Sequence, residues 1–115
     1  MSSKPEVASF LKDFKEKMRF WDVLFRDERG KNTQALLDLE FRPADRNIVL
    51  QTLEVNNFSK GPVKEELYRG ADMWVFGKTI KKREVYIKIT MGTIGSSVIC
   101  ISFHLAQHKM NYPFK

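Results

Sequence analysis

Two stretches in the last third of the chain, Glu84-Val-Tyr-Ile-Lys-Ile-Thr90 and Ser97-Val-Ile-Cys-Ile-Ser-Phe-His104, carry apolar residues at every second position. A period of two belongs to a strand with one buried face, because successive side chains of an extended chain point to opposite sides. The pattern predicts Val85, Ile87 and Ile89 on one side and Tyr86, Lys88 and Thr90 on the other. In the second run it predicts Ile99, Ile101 and Phe103 toward the core, with Val98, Cys100, Ser102 and His104 opposite. Met91-Gly-Thr-Ile-Gly-Ser96 supplies the connection, since glycine and serine suit the positive φ values of hairpin turns. Antiparallel pairing then gathers Tyr86, Lys88, Ser102 and His104 on one surface of a sheet.

The chain before these strands reads mainly as helix. Ser3-Lys-Pro-Glu6 has the form of a capping box. Val7, Phe10, Leu11, Phe14 and Met18 follow at three- and four-residue intervals, which gives a helix one apolar face. Phe20-Trp-Asp-Val-Leu-Phe25 is aromatic and β-prone and reads as a short strand, with continuation of the helix through Trp21 as the other reading. After a charged loop, Asn32 is placed to cap a second helix running from Gln34 to Leu39. Arg42-Pro-Ala-Asp45 opens a third, with Ile48, Val49, Leu50 and Leu53 as its apolar side. Residues 53–62 hold Asn56, Asn57, Gly61 and Pro62 and read as a connection. Met73-Trp-Val-Phe76 resumes β character, and residues 77–83 form a basic hairpin link. This order predicts one α+β domain over residues 1–115. Helices over about 1–57 would pack on one face of a three- or four-stranded antiparallel sheet over about 71–105, with an extension at 106–115.

At 115 residues, with 43% hydrophobic and 30% charged residues, the chain can bury one modest core. Its net charge of +6 and pI near 9.6 favour polyanionic partners. The single cysteine, Cys100, lies within an apolar run, which predicts a buried small residue and a reducing compartment. No apolar run has the length of a membrane span and no secretory apolar segment opens the chain, so the expectation is a cytoplasmic protein with no membrane partner.

No phosphate-cradling glycine loop is present, because Gly92 and Gly95 sit between strands. His104 and His108 are the only histidines, a poor basis for a metal site, and the expectation is no metal and no cofactor. What remains is a basic surface with interleaved aromatics: Lys78, Lys81, Lys82, Arg83 and Lys88, with Lys60, Lys64 and Arg69 before them, and Trp74, Phe76 and Tyr86 among them. Cations attract phosphates and aromatic faces stack on unpaired bases, a combination suited to single-stranded RNA or DNA. Trp74, Lys78, Lys81, Lys82 and Arg83 are the expected RNA contacts, although a solvated hairpin and core aromatics would account for the same residues. Tyr86, Lys88 and His104 are harder to account for in that way, because they fall opposite the aliphatic ladder.

Asp72-Met-Trp74, Glu84-Val-Tyr-Ile-Lys-Ile-Thr90 and Val98-Ile-Cys-Ile-Ser-Phe-His104 resemble the C-terminal half of the motility quorum-sensing regulator (MqsR) toxins, a branch of the RelE-like toxins of toxin-antitoxin systems. Phe58-Ser-Lys-Gly61 is similar to that family's loop with a lysine two residues after a phenylalanine. The resemblance covers most of residues 31–104 and is clearest after Phe58. It implies a compact α+β ribonuclease that cleaves messenger RNA and is held inactive by a cognate DNA-binding antitoxin. It also implies an activity-linked lysine at Lys60 and an active-site tyrosine at Tyr86. Four features depart from the family pattern: Val75 stands where the family has glutamine, His104 stands where it has lysine, the connection at 92–96 is long, and residues 105–115 extend the chain.

RNA cleavage without a metal uses the ribose 2′-hydroxyl as nucleophile, so a protein must take one proton, give another and stabilise charge on the phosphate. The catalytic residues expected on this basis are Lys60 and Lys88 for phosphate charge, Tyr86 for phosphate contact or proton transfer, and His104 as acid or base. The competing expectations are a non-catalytic module that docks nucleic acid or protein on the same face, and an adaptor whose charge serves solubility.

Overall fold

The computed structural model describes residues 2–28, 30–64 and 71–115. Arg69, one of the basic residues noted above, lies outside the described residues. Helix α1 (Lys4–Trp21) starts as the sequence predicts: Ser3 Oγ accepts from the Glu6 amide, and the Glu6 carboxylate accepts from the Ser3 amide at 2.9 Å. It presents Val7, Phe10, Leu11, Phe14 and Met18 to the core. Each buried phenylalanine of this stripe contributes roughly 1.5–3 kcal/mol relative to exposure. The helix runs on through Trp21, and strand β1 is only Val23–Phe25. Helix α2 (Gly30–Asp38), helix α3 (Asp45–Gln51) and a single turn of 3₁₀ helix (Val55–Asn57) follow. Then come β2 (Phe58–Val63), β3 (Met73–Ile80), β4 (Arg83–Thr90) and β5 (Val98–Leu105).

The fold is α+β, but the sheet differs from the expectation. Among the described residues it has five strands in the order β1-β5-β4-β3-β2, and it is mixed, because β1 runs parallel to β5. One edge, β1, is the short strand expected within residues 20–25, and the other edge, β2, is the strand that was not expected. β2 occupies the stretch read as a connection, and its pairing with β3 is broken by register shifts on either side of Lys60. Turn-type residues there mark an irregular edge strand rather than a loop. Helices α1 and α3 cover one face, where Val49, Leu50 and Leu53 join the α1 stripe over Phe58, Phe76, Val85, Ile87 and Ile89. Ile48, expected on that apolar side, is exposed instead. Asn32 lies inside α2 rather than capping it.

Strand β4 alternates as predicted, with Val85, Ile87 and Ile89 fully buried. Strand β5 does so only in its second half. Lys88 pairs with Ser102 but Ile89 with Cys100, so Ile101 is an extra residue that shifts the register. A one-residue bulge reverses the facing of every side chain beyond it. Val98 and Cys100 therefore join Phe103 in the core cluster, whereas Ile101 is buried outside that cluster and Ile99 is only half-buried.

The buried Arg46 ties α3 to the loop after β1. Its guanidinium donates to both Asp27 oxygens at 2.7 and 2.9 Å, donates from Nε to the Pro43 carbonyl, and lies 3.8 Å over the Phe25 ring. The hydrogen bonds from Arg46 hold the Asp27 carboxyl below its usual range, against a desolvation effect of opposite sign. Asp27→Asn is expected to cost about 1–2 kcal/mol at pH 7. That is less than for a fully enclosed pair, because the Asp27 side chain is 40% exposed. A depressed folded-state pKa contributes stability that is present above the unfolded pKa and lost as pH falls through the folded one. The gap between wild type and variant in urea unfolding should therefore be constant above about pH 5 and close below about pH 4.

Candidate active site

Cross-strand pairing on the face opposite α1 sets out two neighbouring rows of side chains. One row is Lys60, Val75, Lys88 and Ser102; the other is Gly77, Tyr86 and His104. Adjacent strands lie about 4.8 Å apart, so neighbours in a row are in reach of one another. Tyr86 and His104 stack with ring centroids 5.2 Å apart at 15°, and Lys88 Nζ lies 6.0 Å from the Tyr86 ring centre. His104 Nδ1 is 3.0 Å from the Leu105 carbonyl oxygen. Val75, buried between the two lysines of its row, gives the site an apolar floor.

These rows open into a cleft of about 470 Å³. Lys60, Tyr86, Lys88 and His104, the expected catalytic set, all line it. Ser102, expected on the same surface, lines it too, but most of the remaining lining is not legible in the sequence. Lys31 comes from the start of α2, and Gln107, His108, Lys109, Met110 and Asn111 come from the segment after β5. Among the described residues the lining holds four lysines and two imidazoles and no carboxylate. With no counter-charge in the wall, such a cleft attracts anions.

Residues 107–111 are held at both ends by Glu84. Its backbone carbonyl accepts from the Ala106 amide at 2.9 Å, and its carboxylate accepts from the Tyr112 hydroxyl at 2.7 Å. Burial first, and the Glu84 carboxylate second, push the Tyr112 phenol far above its usual range, so it stays a donor. Beyond it Phe114 stacks on Phe58 at 5.6 Å. The extension thus both walls the cleft and seals the sheet edge. Gly77 leaves the space for this crossing, since a β-carbon there would overlap the Tyr112 hydroxyl and the Met110 sulfur. Gly77→Ala should displace those two flexible side chains at little cost to the global fold, because β3 keeps its ladder. The expected outcome is an increase of about tenfold or more in amide exchange confined to residues 107–115, the signature of a weakened local unit. Unchanged exchange there would show that the extension is held by other contacts.

The expected RNA contacts are placed elsewhere. Trp74 stacks on Phe10 at 4.4 Å and belongs to the core side, the face opposite Tyr86. Lys78 Nζ donates to the Thr52 hydroxyl at 2.7 Å. Lys81 Nζ donates to the Leu39 carbonyl at 2.7 Å and lies over Phe41. These two lysines therefore tie the hairpin to the helical layer. Lys82 and Arg83 are exposed at the hairpin tip, and none of the five lines the cleft. Lys64 is exposed at the end of β2.

Burial pushes the Cys100 thiol up to about 12, which removes it as a nucleophile near neutral pH. Among the described residues no group of three or more His, Cys, Asp or Glu side chains is placed to hold a metal ion. No helix among them is long and apolar enough to cross a membrane. Comparisons of this chain with protein-family models, with curated proteins and with solved structures give no match.

Proposed function

We propose that the chain is an endoribonuclease that cleaves single-stranded RNA through the ribose 2′-hydroxyl without a metal ion, as the toxin of a toxin-antitoxin pair. The observation that carries the reading is the convergence of Lys60, Tyr86, Lys88 and His104, from three strands, on one cleft whose described wall bears no negative charge. The toxin assignment, the RelE-like kinship, messenger RNA as substrate and a DNA-binding antitoxin as partner rest on the resemblance of the strand motifs to the MqsR toxins.

The chemistry follows from the residue types. A phosphodiester seated over Val75 meets ammonium groups of Lys60 and Lys88 from either side of the row, and these offset the charge that grows on the phosphate oxygens as the 2′-oxygen attacks. The Tyr86 hydroxyl donates to a phosphate oxygen. The His104 imidazole exchanges a proton with the reacting oxygens, a task suited to a group that ordinarily titrates near pH 6.5. The products are a 2′,3′-cyclic phosphate and a 5′-hydroxyl.

Incubation of the purified protein with single-stranded RNA in EDTA, with end-group analysis of the fragments, tests the reading. Cyclic phosphate ends, and no cleavage of DNA of the same sequence, are expected. Salt-sensitive binding of RNA with no cleavage over hours would replace the nuclease by a binding module, and cleavage of DNA at a similar rate would rule out the 2′-hydroxyl as nucleophile.

A further inference from the structure

The cleft holds a second imidazole, on a loop whose two feet are fixed to one residue. His108 lies between Ala106, bonded to the Glu84 carbonyl, and Tyr112, bonded to the Glu84 carboxylate. It lines the same cleft as His104 and lies beside Lys109. The two histidines differ in what surrounds them. A carbonyl oxygen only accepts, so the 3.0 Å contact of His104 Nδ1 with the Leu105 carbonyl places the proton on Nδ1. In the neutral ring Nε2 is then the accepting nitrogen, the form a base needs. His108 is exposed and reaches the same cleft from the extension rather than from the sheet.

From this arrangement we infer that His108 is a further catalytic residue, the general acid that protonates the departing 5′-oxygen, with His104 as the base. The step balances. The 2′-hydroxyl gives its proton to His104, its oxygen forms the new bond to phosphorus, the bond from phosphorus to the 5′-oxygen breaks, and that oxygen takes a proton from His108. The inference rests on the nuclease reading and adds to it a residue outside the strand motifs.

The leaving group separates an acid from a structural residue. His108→Ala and the polar His108→Gln should each lower cleavage of an RNA dinucleotide by about 100-fold or more. With a uridine 3′-(4-nitrophenyl phosphate), whose leaving group departs without a proton, both variants should stay within about threefold of wild type. Equal losses on the two substrates, or no loss on either, would overturn the assignment while leaving the nuclease reading in place. Failure of the wild type to cleave any RNA would remove both. Far-UV circular dichroism of the variants identifies any that fail to fold, and the aryl ester measured on whichever variant folds decides the question.

Discussion

Replacing His104 by alanine is expected to lower RNA cleavage by about 10²–10⁴-fold, the range set by loss of a positioned proton carrier, and to leave the fold intact. The side chain is only half-buried, on the open face beyond Phe103, so its removal leaves the core cluster untouched. Tyr86→Phe should cost less, about tenfold, because one hydrogen bond to a transition-state oxygen is worth roughly 1–1.5 kcal/mol. The ring remains to stack on His104, which keeps the comparison clean. Single-turnover rates in EDTA, read beside thermal unfolding, measure both. Full activity in the two variants would place the chemistry elsewhere on the molecule.

Asn32→Ala is expected to destabilise the fold by roughly 3–5 kcal/mol, because it removes the partner of two buried backbone groups and one part-buried one. The Asn32 amide donates to the carbonyls of Arg26 and Ile101 at 2.9 and 3.0 Å, and its oxygen accepts from the Phe103 amide at 3.0 Å. Strand β1 ends at Phe25, and the Asn32 side chain takes over the hydrogen bonding of β5 where that pairing stops. It does so from the bulged residue Ile101 to Phe103, the residue before His104. Loss of this support should free the end of β5 as well as lower stability. Asn32→Asp should be worse still, since a carboxylate would set an acceptor against two carbonyls. Urea unfolding measures the loss, and a variant midpoint equal to wild type would show that β5 is held without this side chain.

The alternation of β4 could be read from sequence because that strand is central and has a core under one face only. In β5 the run Val98-Ile-Cys-Ile101 is apolar at every position, so no pattern reveals which face each residue takes, and the bulge at Ile101 decides it. Asn32 was read as a cap for a related reason. Its residue type favours helix ends, whereas its use here depends on where β1 runs out, a tertiary fact. Strand β2 carries Gly61 and Pro62, residues of turns, and is a strand only because β3 offers it a partner. Trp74 shows the limit of reading a basic, aromatic stretch: its composition suited a nucleic-acid surface, but its phase along β3 sends the ring to Phe10.

The site divides in the same way. Strand periodicity marked Tyr86, Lys88 and His104, the resemblance marked Lys60 and Tyr86, and the cleft brings all four together. Lys31, His108 and Lys109 were missed because α2 and the extension reach the cleft through contacts that local sequence does not encode, such as the Lys31 ammonium donating to Gln107 Oε1 at 3.0 Å. One signal was available. A chain that continues past its last strand with Met110, Tyr112 and Phe114 has apolar surface to bury, and the nearest place is the sheet it has just left.

The central claim is that a phosphodiester seats in the cleft between Lys60, Lys88 and His104, and backbone amide NMR with a 2′-O-methyl RNA, which binds without being cut, tests it most directly. Shifts concentrated at Lys60, Tyr86, Lys88, His104 and residues 107–111 are the expected result. Shifts confined to Lys81, Lys82 and Arg83 at the hairpin tip, with the cleft silent, would contradict it.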